Sequence, residues 1–369
     1  MKIAVNGKSL ATVNPGGAVR VGLNIISHLA SLVDWQIDIY LPDTDPASAL
    51  PAMPDNVRFC CQPRDHHSSA ISKLWWEQWH LPRLLNAGDY DLVLNLTNSC
   101  AVLRRVRTPQ LLLVHDSSFL VTAWFTRAFS AYLSLLIRWA NRRGCQLVTV
   151  SETSARQLKE AFSSLGQIEV IPNGLDPAPD DIVPYQPGFP YLLFLGSKNP
   201  RKNLKGMLEA FKAHRGKHPD DPHKLLIVGG DKDIFVDVGA AQDDPHVEWL
   251  GYVHDDKKWS VLAGADGLLL PSFLEGFGLP IGEALLTGKP VMASDIPVFH
   301  EIYGEAISVF VDPHDIEDMA TGISRLIQSR ADFDATARTR SQVLRRYEWP
   351  AIAARYRDLC LNLTNRKSS

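Results

Sequence analysis

The amino-acid sequence predicts an α/β protein of two domains, each built around a parallel β-sheet. Short apolar runs alternate with longer segments of helical periodicity, and this alternation occurs twice along the chain. Runs that are apolar throughout are typical of parallel strands covered by helices on both faces. The two series are separated by residues 176–190, which contain five prolines and no periodicity, as expected of a linker.

The predicted strands divide into two groups of similar length. In the first series they lie at Lys2–Val5, Gln36–Tyr40, Leu92–Asn95, Leu111–Val114, Leu147–Val150 and Glu169–Ile171. In the second series they lie at Tyr191–Leu195, Leu225–Val228, Val247–Leu250, Gly267–Leu270, Val291–Ala293 and Ser308–Val311. Since ligands of open parallel sheets bind outside the carboxyl ends of the strands, two facing sheets would enclose a ligand-binding cleft.

Length and composition restrict the class of protein. The 369 residues fit two domains of roughly 100–200 residues, which we expect at 1–175 and 191–349 with the linker at 176–190. A net charge of −3 gives no attraction to nucleic acid, so we expect no nucleic-acid partner. The five cysteines show no CxxC spacing, which argues against a disulfide framework or zinc site. With no signal-peptide pattern and no long apolar run, we expect a cytoplasmic protein without a membrane span.

The segment Ser272–Leu285, SFLEGFGLPIGEAL, carries the strongest functional signal. A strand is followed by a glycine-rich turn and then by a helix, an arrangement whose free N–H groups suit a phosphate or a sugar hydroxyl. Glu275 and Glu283 have seven residues between them and provide acceptors for paired hydroxyls. An ordinary turn followed by a solvated helix glutamate is the alternative, and the strand–turn–helix context argues against it.

This segment resembles the donor-site signature of the retaining glycosyltransferases of family 4, which have the GT-B fold of two facing Rossmann-like domains. The resemblance implies that Glu275 approaches the transferred sugar and that Glu283 holds the ribose. It also implies that the donor is contacted by the loop residues Gly276, Phe277, Gly278 and Leu279. In this fold the last helix, here at about residues 350–365, packs back on the N-terminal domain.

A basic pair, Arg201 and Lys202, follows the first strand of the second series. Cations beside a helix start can stabilise a leaving diphosphate, and arginine can bind two oxygens at once. The resemblance gives this pair the phosphate role, against the alternative of a surface basic pair. Ser197 is a departure, because many family members have arginine there, and it leaves open which cation contacts which oxygen.

The N-terminal half carries weaker signals. Gly16 and Gly17 resemble the family's glycine-rich loop, although a plain turn is the commoner explanation of two glycines. His115 ends a strand, and the resemblance places it near the transferred sugar and the acceptor hydroxyl; the alternative is a structural histidine. Asp116 is expected either to orient His115 or to face the acceptor.

The base of the donor is expected to contact a strand end in the second half. The resemblance assigns this contact to Gly251, Tyr252 and Val253, and Gly229-Gly230 to the wall of the same pocket. Members of this kind generally need no metal, so no metal or other cofactor is expected. The resemblance implies same-face attack, in which the leaving phosphate takes the acceptor proton.

The predicted reaction is hexosyl transfer from a nucleotide sugar to a glycan or lipid-linked glycan in bacterial polysaccharide or lipopolysaccharide O-antigen assembly. GDP-mannose is the first choice of donor, and UDP-glucose, UDP-galactose and UDP-N-acetylglucosamine are alternatives. A nucleotide-sugar epimerase and a sugar phosphorylase are less favoured, because neither a base poised at a sugar carbon nor a pyridoxal phosphate lysine stands out in the sequence. A non-catalytic partner subunit is less favoured because Glu275, Arg201, Lys202 and His115 are all present. The N-terminal half contains tryptophans 75, 76 and 79, the segment Trp124–Arg127 and arginines 104, 105 and 107. This mixture of aromatic and basic residues indicates either peripheral contact with an anionic membrane or, for the tryptophans, core or interdomain packing.

Overall fold

The computed structural model describes residues 1–10, 16–42, 50–61, 69–197, 199–229, 244–333 and 336–365. The chain forms two compact units. The first comprises residues 1–174 and 349–369, and the second comprises residues 175–348. Among the described helices, none is long and apolar enough to cross a membrane.

The first unit contains a seven-stranded sheet in the order β3-β2-β1-β4-β5-β6-β7, and all neighbouring strands are parallel. Its strands are β1 (Lys2–Asn6), β2 (Gln36–Leu41), β3 (Val57–Cys61), β4 (Leu92–Asn95), β5 (Gln110–Val114), β6 (Gln146–Thr149) and β7 (Ile168–Val170). Its first five helices are α1 (Gly17–Leu32), α2 (Ala70–Trp75), α3 (Leu81–Ala87), α4 (Arg127–Arg142) and α5 (Glu152–Ala161). A π-helical turn, Trp76–His80, joins α2 to α3.

The second unit contains a six-stranded parallel sheet in the order β10-β9-β8-β11-β12-β13. Its strands are β8 (Tyr191–Leu195), β9 (Lys224–Val228), β10 (Val247–Gly251), β11 (Gly267–Leu270), β12 (Val291–Ser294) and β13 (Val309–Val311). Its helices are α6 (Leu204–Lys217), α7 (Asp255–Gly264), α8 (Leu279–Leu286), α9 (Pro297–Ile302), α10 (Ile316–Phe333) and α11 (Ala337–Arg345).

The last helix, α12 (Trp349–Asn365), belongs to the first unit. Its first residue, Trp349, stacks on His28 of α1 with ring centroids 5.3 Å apart. A Cβ atom on Gly174 would lie 2.2 Å from the Trp349 ring, so the indole requires a glycine at this position. Arg355 donates a hydrogen bond to the carbonyl of Val170 at 2.5 Å. These contacts hold α12 against α1 and the end of β7.

The predicted fold class is confirmed, because both sheets are parallel and every predicted strand overlaps an observed one. The apolar runs are buried as expected; all four residues of β4 and of β11 are buried. The strand β3 was not predicted. Its residues are intermediate or exposed at the sheet edge, so they lack the continuous apolar pattern of the central strands.

Each sheet has a point where the strand order reverses. In the first unit it lies between β1 and β4, and in the second between β8 and β11. Chain segments leaving the carboxyl ends of two such neighbours diverge in opposite directions, so a crevice opens between them where ligands bind. The reversal between β8 and β11 therefore marks the expected position of a site in the second unit.

Candidate active site

The segments that follow β8 and β11 carry the residues of the donor-site prediction. After β8 the chain enters a 3₁₀ helix, Pro200–Lys202, and after β11 it forms the loop that precedes α8. The two segments are joined by a backbone hydrogen bond of 2.8 Å, from the N–H of Phe273 to the carbonyl of Arg201. The basic pair and the glycine-rich loop are therefore neighbours at the reversal point of the sheet.

Glu275 is the centre of a buried ion-pair cluster. Its Oε1 atom accepts hydrogen bonds from Lys202 Nζ at 2.5 Å and from Ser272 Oγ at 2.8 Å. Its Oε2 atom accepts from Arg201 NH1 at 2.7 Å. Arg201 also donates to the carbonyl of Leu274 at 3.1 Å. The two cations expected at a phosphate and the carboxylate expected at a sugar thus form one charge-paired group.

The ionisation of Glu275 is controlled by two opposing effects. Burial alone would raise its pKa, because a low dielectric disfavours the charged form. The charges of Arg201 and Lys202 and their hydrogen bonds outweigh burial and lower the pKa to about 2. Glu275 is consequently a carboxylate at every pH near neutrality, and it accepts but does not donate hydrogen bonds.

The 3₁₀ helix that carries the cations is fixed at both ends. Asn199 Oδ1 accepts a hydrogen bond from the N–H of Arg201 at 3.0 Å. Asn203 has the left-handed conformation, with φ of 56°, and its side chain donates to the carbonyl of Pro313 at 2.7 Å. An asparagine tolerates this conformation better than most residues. The basic pair is therefore presented from a short, anchored turn.

The start of α8 is fixed by packing from α9 and the residue that follows it. Gly278, the residue before α8, has a φ of 85°, and a Cβ atom there would lie 2.7 Å from the Phe299 ring. The Tyr303 hydroxyl donates to the carbonyl of Gly278 at 3.0 Å. The Phe277 ring is buried against Tyr303, so its backbone and not its side chain is placed to contact a ligand. Gly276 is buried, and Leu279 opens the helix.

Glu283, on α8, forms a second buried ion pair. Its Oε1 atom accepts a hydrogen bond from Lys258 Nζ of α7 at 2.6 Å. Lys258 was not predicted as a site residue, because its partner lies 25 residues away and nothing in the local sequence marks the pair. Each glutamate of the predicted signature is thus paired with a buried lysine.

The segment expected to face the base begins at Gly251, the last residue of β10. Gly251 has a φ of 67°, and its carbonyl accepts from the N–H of Gly229 at 2.8 Å. Tyr252 is exposed and meets His254 edge-to-face, whereas Val253 is buried. Ser197 is exposed after β8. Gly230 and Lys198, which belong to the same predicted segments, lie outside the described residues.

In the first unit, His115 follows β5 and is buried. Its Nε2 atom lies 2.9 Å from the carbonyl of Leu96 and must carry the proton, because a carbonyl only accepts. Its own N–H donates to Asn98 Oδ1 at 2.8 Å. Burial lowers the pKa of His115 and outweighs the opposing effects of the Leu96 hydrogen bond and the Asp116 charge. The imidazole is therefore neutral near pH 7, with Nδ1 as its acceptor.

Asp116 is engaged locally. Its Oδ1 atom accepts from the N–H of Ser118 at 2.9 Å and from the Ser118 hydroxyl at 2.6 Å, at the start of the 3₁₀ helix Ser118–Leu120. The His115 ring is hydrogen-bonded to the carbonyl of Leu96 rather than to Asp116. Asp116 thus shapes the turn, and the orientation of the imidazole comes from the carbonyl.

Gly16 and Gly17 open α1. Gly16 is the residue before the helix, and its carbonyl accepts from the N–H groups of Val19 and Arg20. Among the described residues, a Cβ atom on Gly16 would meet nothing within 4 Å, so their packing does not require a glycine there. Asn14 and Pro15, which precede it in the predicted loop, lie outside the described residues.

Two family descriptions match the chain, one for each half. Residues 15–179 match the family described as Glycosyltransferase Family 4, and residues 181–342 match the one described as Glycosyl transferases group 1. The chain belongs to glycosyltransferase family 4. The two matches together cover the glycine-rich start of α1, the basic pair and both glutamates of the family 4 signature.

Curated relatives of this family 4 chain include three bacterial proteins. It is 32% identical over 169 residues to O-antigen chain mannosyltransferase B of Escherichia coli, covering 43% of the chain and 42% of the relative. It is 33% identical over 218 residues to phosphatidyl-myo-inositol mannosyltransferase of Mycolicibacterium smegmatis, covering 56% and 54%. It is 27% identical over 270 residues to an O-antigen chain mannosyltransferase of Salmonella typhimurium, covering 68% and 72%. The matches thus span about half the length of the first two relatives.

Solved structures resemble the whole chain. Sucrose-phosphate synthase from Thermosynechococcus elongatus superposes with a TM-score of 0.74 at 19% identity, covering 99% of this chain and all of the other. Anabaena HepE in complex with UDP-glucose gives 0.73 at 17% identity, covering 98% of this chain and 100% of the other. At these identities the likeness shows the fold, and it agrees with the GT-B class that the family 4 resemblance implied.

The first unit of this family 4 chain also contains a buried polar cluster that was not predicted. Glu77, on the π-helical turn, accepts hydrogen bonds from Lys8 Nζ, Asn6 Nδ2 and Ser99 Oγ, each at 2.7 Å. Asn6 ends β1, and Ser99 follows β4, so the cluster lies at the reversal point of the first sheet. Lys8 and Asn6 lie 69 and 71 residues before Glu77, so no local sequence pattern indicates these contacts.

Proposed function

We propose that the protein transfers a hexosyl group, with mannose as the first choice, from a nucleoside diphosphate sugar to a hydroxyl of a glycan or lipid-linked glycan. The observation that carries the proposal is the cluster of Arg201, Lys202 and Glu275 at the sheet reversal of the second unit. It combines two cations and one sugar-binding acceptor in a buried position, which is the set of groups that a nucleotide-sugar donor requires.

The cations suit the leaving diphosphate. Breaking the bond between the sugar C1 and the diphosphate oxygen leaves negative charge on that oxygen. The backbone that carries Arg201 and Lys202 is an anchored turn, so it needs little reorganisation when this charge develops. The planar guanidinium of Arg201 can bind two oxygens, whereas Lys202 provides a compact charge.

The glutamates suit the hydroxyl groups of the donor. Glu275 is ionised near neutral pH because its pKa is about 2, so it can accept hydrogen bonds from the hydroxyls of the transferred sugar. Glu283 lies on α8, the helix that follows this loop, and is proposed as the corresponding acceptor for the ribose. We assign the base to Gly251–Val253 and the sugar and phosphate to the amides of residues 276–279.

The proposed chemistry retains the anomeric configuration. The acceptor hydroxyl attacks C1 on the face that the diphosphate leaves, and its proton passes to the departing phosphate oxygen. The C1–O bond to the acceptor replaces the C1–O bond to the diphosphate, so no covalent enzyme intermediate is formed. His115 is proposed to accept a hydrogen bond from a substrate hydroxyl through Nδ1, since its neutral ring cannot supply charge.

Mannose is the favoured sugar because the three relatives described above are named mannosyltransferases. The test is a panel of GDP-mannose, UDP-glucose, UDP-galactose and UDP-N-acetylglucosamine with purified protein. Release of the nucleoside diphosphate and a rise in thermal midpoint should be largest for GDP-mannose, because a ligand of the native state stabilises it by mass action. A larger response to a UDP sugar would move the proposal to that donor; no response to any would overturn it. NMR of the product anomeric carbon tests retention.

We propose that transfer needs no metal, because Arg201 and Lys202 supply the positive charge at the diphosphate. Transfer measured in excess EDTA should equal transfer in added Mg²⁺. Loss of transfer in EDTA that Mg²⁺ restores would contradict this assignment.

The outer face of α4 supports peripheral contact with an anionic membrane, where a lipid-linked acceptor would lie. Leu135 and Trp139 are 55% and 40% exposed, and Arg138 is exposed beside them. Apolar side chains flanked by arginines match the boundary of an anionic bilayer. Of the tryptophans near residue 75, Trp75 is 57% exposed and Trp76 is buried, so internal packing explains only part of that cluster.

The membrane proposal is tested by co-sedimentation with vesicles. Binding is expected to anionic vesicles at low salt, and it should fall in the variant Leu135→Glu/Trp139→Glu. Val183→Glu, at an exposed apolar residue of the second unit, is the matched control. Equal binding of the two variants, or no binding of the native protein at low salt, would reject the surface.

A further inference from the structure

Lys258 is placed where the two ends of the proposed nucleoside site meet. It lies on α7, which begins four residues after Gly251 at the end of β10. Its Nζ atom lies 2.6 Å from Oε1 of Glu283 on α8, the residue assigned to the ribose. Lys258 therefore links α7, which follows the segment assigned to the base, to Glu283, which is assigned to the ribose.

The surroundings of Lys258 identify Glu283 as its main partner. The lysine is 5% exposed, so its charge is removed from water and requires compensation. Its other acidic neighbour, Asp255, is 3.5 Å away, and the Asp255 side chain is 61% exposed, so that interaction is screened. The Trp259 ring, 5.0 Å from Nζ, adds a cation–π contact.

Stability alone is a weak reason for such a pair. Buried ion pairs commonly contribute no more to folding than well-packed apolar side chains of similar volume, because both charges lose their hydration. The pair does orient the carboxylate. A charge-assisted hydrogen bond of 2.6 Å fixes one carboxylate oxygen of Glu283 and thereby the position of the other. An acceptor that must meet two neighbouring hydroxyls needs this orientation.

We propose that Lys258 is a positioning residue that holds the Glu283 carboxylate toward the ribose hydroxyls, and so makes the site selective for ribonucleotides over deoxyribonucleotides. This inference rests on the proposed function, in which Glu283 binds the ribose. A site built to hydrogen-bond a hydroxyl discriminates strongly against the analogue that lacks it, because its buried polar groups are then left unpaired.

The experiment compares the ribose and dideoxy forms of two nucleoside diphosphates on four proteins. Calorimetric Kd values are measured for GDP and for 2′,3′-dideoxy-GDP, and in parallel for UDP and 2′,3′-dideoxy-UDP. The proteins are the native chain, Lys258→Met, Glu283→Gln and Lys257→Met. Lys257 is the matched control, since it is the adjacent lysine on the same helix and is exposed.

The native protein should bind the ribose form about tenfold or more tightly than the dideoxy form, corresponding to the loss of hydrogen bonds to a charged acceptor. Lys258→Met and Glu283→Gln should weaken the ribose form and leave the dideoxy form nearly unchanged, so that the ratio of the two Kd values approaches one. Lys257→Met should keep the native ratio. A lysine with a purely structural role would weaken both ligands equally.

The other outcomes distinguish failure of the proposed function from failure of the role assigned to Lys258. If no nucleoside diphosphate binds the native protein, the proposed function fails, and this inference fails with it. If Glu283→Gln keeps the native ratio, the ribose assignment of Glu283 is wrong. If Glu283→Gln abolishes the ratio but Lys258→Met keeps it, Glu283 binds the ribose without help from Lys258, and only the present inference is overturned.

A second variant is needed because Lys258→Met removes the buried cation next to the Glu283 carboxylate and can misfold. In Lys258→Met/Glu283→Gln neither member is charged. The double variant should show the same ratio as Glu283→Gln alone, because the lysine acts only through the glutamate. A further fall in the affinity for the ribose form would mean that Lys258 contacts the nucleotide itself, and would overturn the positioning role.

Discussion

Lys202 donates a hydrogen bond of 2.5 Å to Glu275, so the cation assigned to the diphosphate is neutralised by the carboxylate assigned to the sugar. Arg201 shares the same carboxylate at 2.7 Å. An arriving donor therefore meets cations that already have an anionic partner. The strength of diphosphate binding depends on how the cluster redistributes its hydrogen bonds between Glu275 and the phosphate oxygens.

Lys202→Ala should reduce turnover by roughly 100-fold or more, the usual effect of removing one preorganised group that stabilises developing negative charge. The measurement is release of nucleoside diphosphate from the donor under saturating conditions. Lys205→Ala, at an exposed lysine of α6, should retain native turnover. Near-native turnover of Lys202→Ala would remove Lys202 from the phosphate role.

Glu275→Gln should separate binding from turnover. Turnover should fall because the sugar loses its ionised acceptor, but GDP or UDP should bind at least as tightly as to the native protein. The amide no longer repels the diphosphate, and Arg201 and Lys202 lose their internal counter-ion. Calorimetry with the nucleoside diphosphate tests this, with Glu209→Gln on the exposed side of α6 as the control. Binding that weakens in step with turnover would show that Glu275 is needed to hold Arg201 and Lys202 in place for the phosphate.

His223 should stabilise the second unit in a pH-dependent manner. Its pKa is raised chiefly by the hydrogen bond to Asp266, and its Nδ1 lies 2.6 Å from Asp221. A raised pKa means that the stabilisation is complete below the unfolded value of about 6.5 and is lost as the pH rises through the folded value. His223→Gln should therefore lower the thermal midpoint more at pH 5.5 than at pH 9.

The neighbouring His214 must be controlled for, because it also hydrogen-bonds Asp221, at 2.6 Å. Burial lowers its pKa, so its protonation favours the unfolded chain and works in the opposite direction as the pH falls. Measurements of His214→Gln and of His254→Gln, an exposed histidine of the same unit, separate these effects. An equal loss of midpoint for His223→Gln at both pH values would contradict the sign given above.

Glu77→Gln should lower the thermal midpoint of the first unit by several degrees. The Glu77 side chain is fully buried and compensates Lys8 at 2.7 Å, and breaking a buried ion pair typically costs about 3–5 kcal/mol. For a unit of this size each kcal/mol corresponds to roughly 2–4 °C. Glu160→Gln, exposed on α5, is the control. A midpoint within one degree of native would show that the cluster contributes nothing to folding.

The sequence predicted the fold well because continuous apolar runs such as β4 and β11 are buried on both faces and leave a direct signal. It also singled out Arg201, Lys202 and Glu275, which follow two predicted strands and which the structure brings together. Their roles in catalysis stay predictions until the variants are measured.

The unpredicted parts depend on contacts between distant residues. Lys258 pairs with Glu283 across 25 residues, and Lys8 pairs with Glu77 across 69, so neither pair has a period or spacing that a local pattern could reveal. Asp116 was expected either to orient His115 or to face the acceptor; the imidazole is hydrogen-bonded to the carbonyl of Leu96, 19 residues earlier, and the acceptor role stays a prediction. Proximity along the chain is a poor guide where a turn redirects the side chains.

The tightly packed start of α8 restricts which changes in sequence length this protein can accept during evolution. Gly278 is held by Phe299 and Tyr303, so the helix cannot slide to absorb a change in the loop. One residue inserted between Gly278 and Glu283 would rotate Glu283 by about 100° around the helix axis, away from Lys258. Loops usually tolerate insertions and deletions, but in homologues that keep both ion pairs this stretch should vary in residue type and never in length.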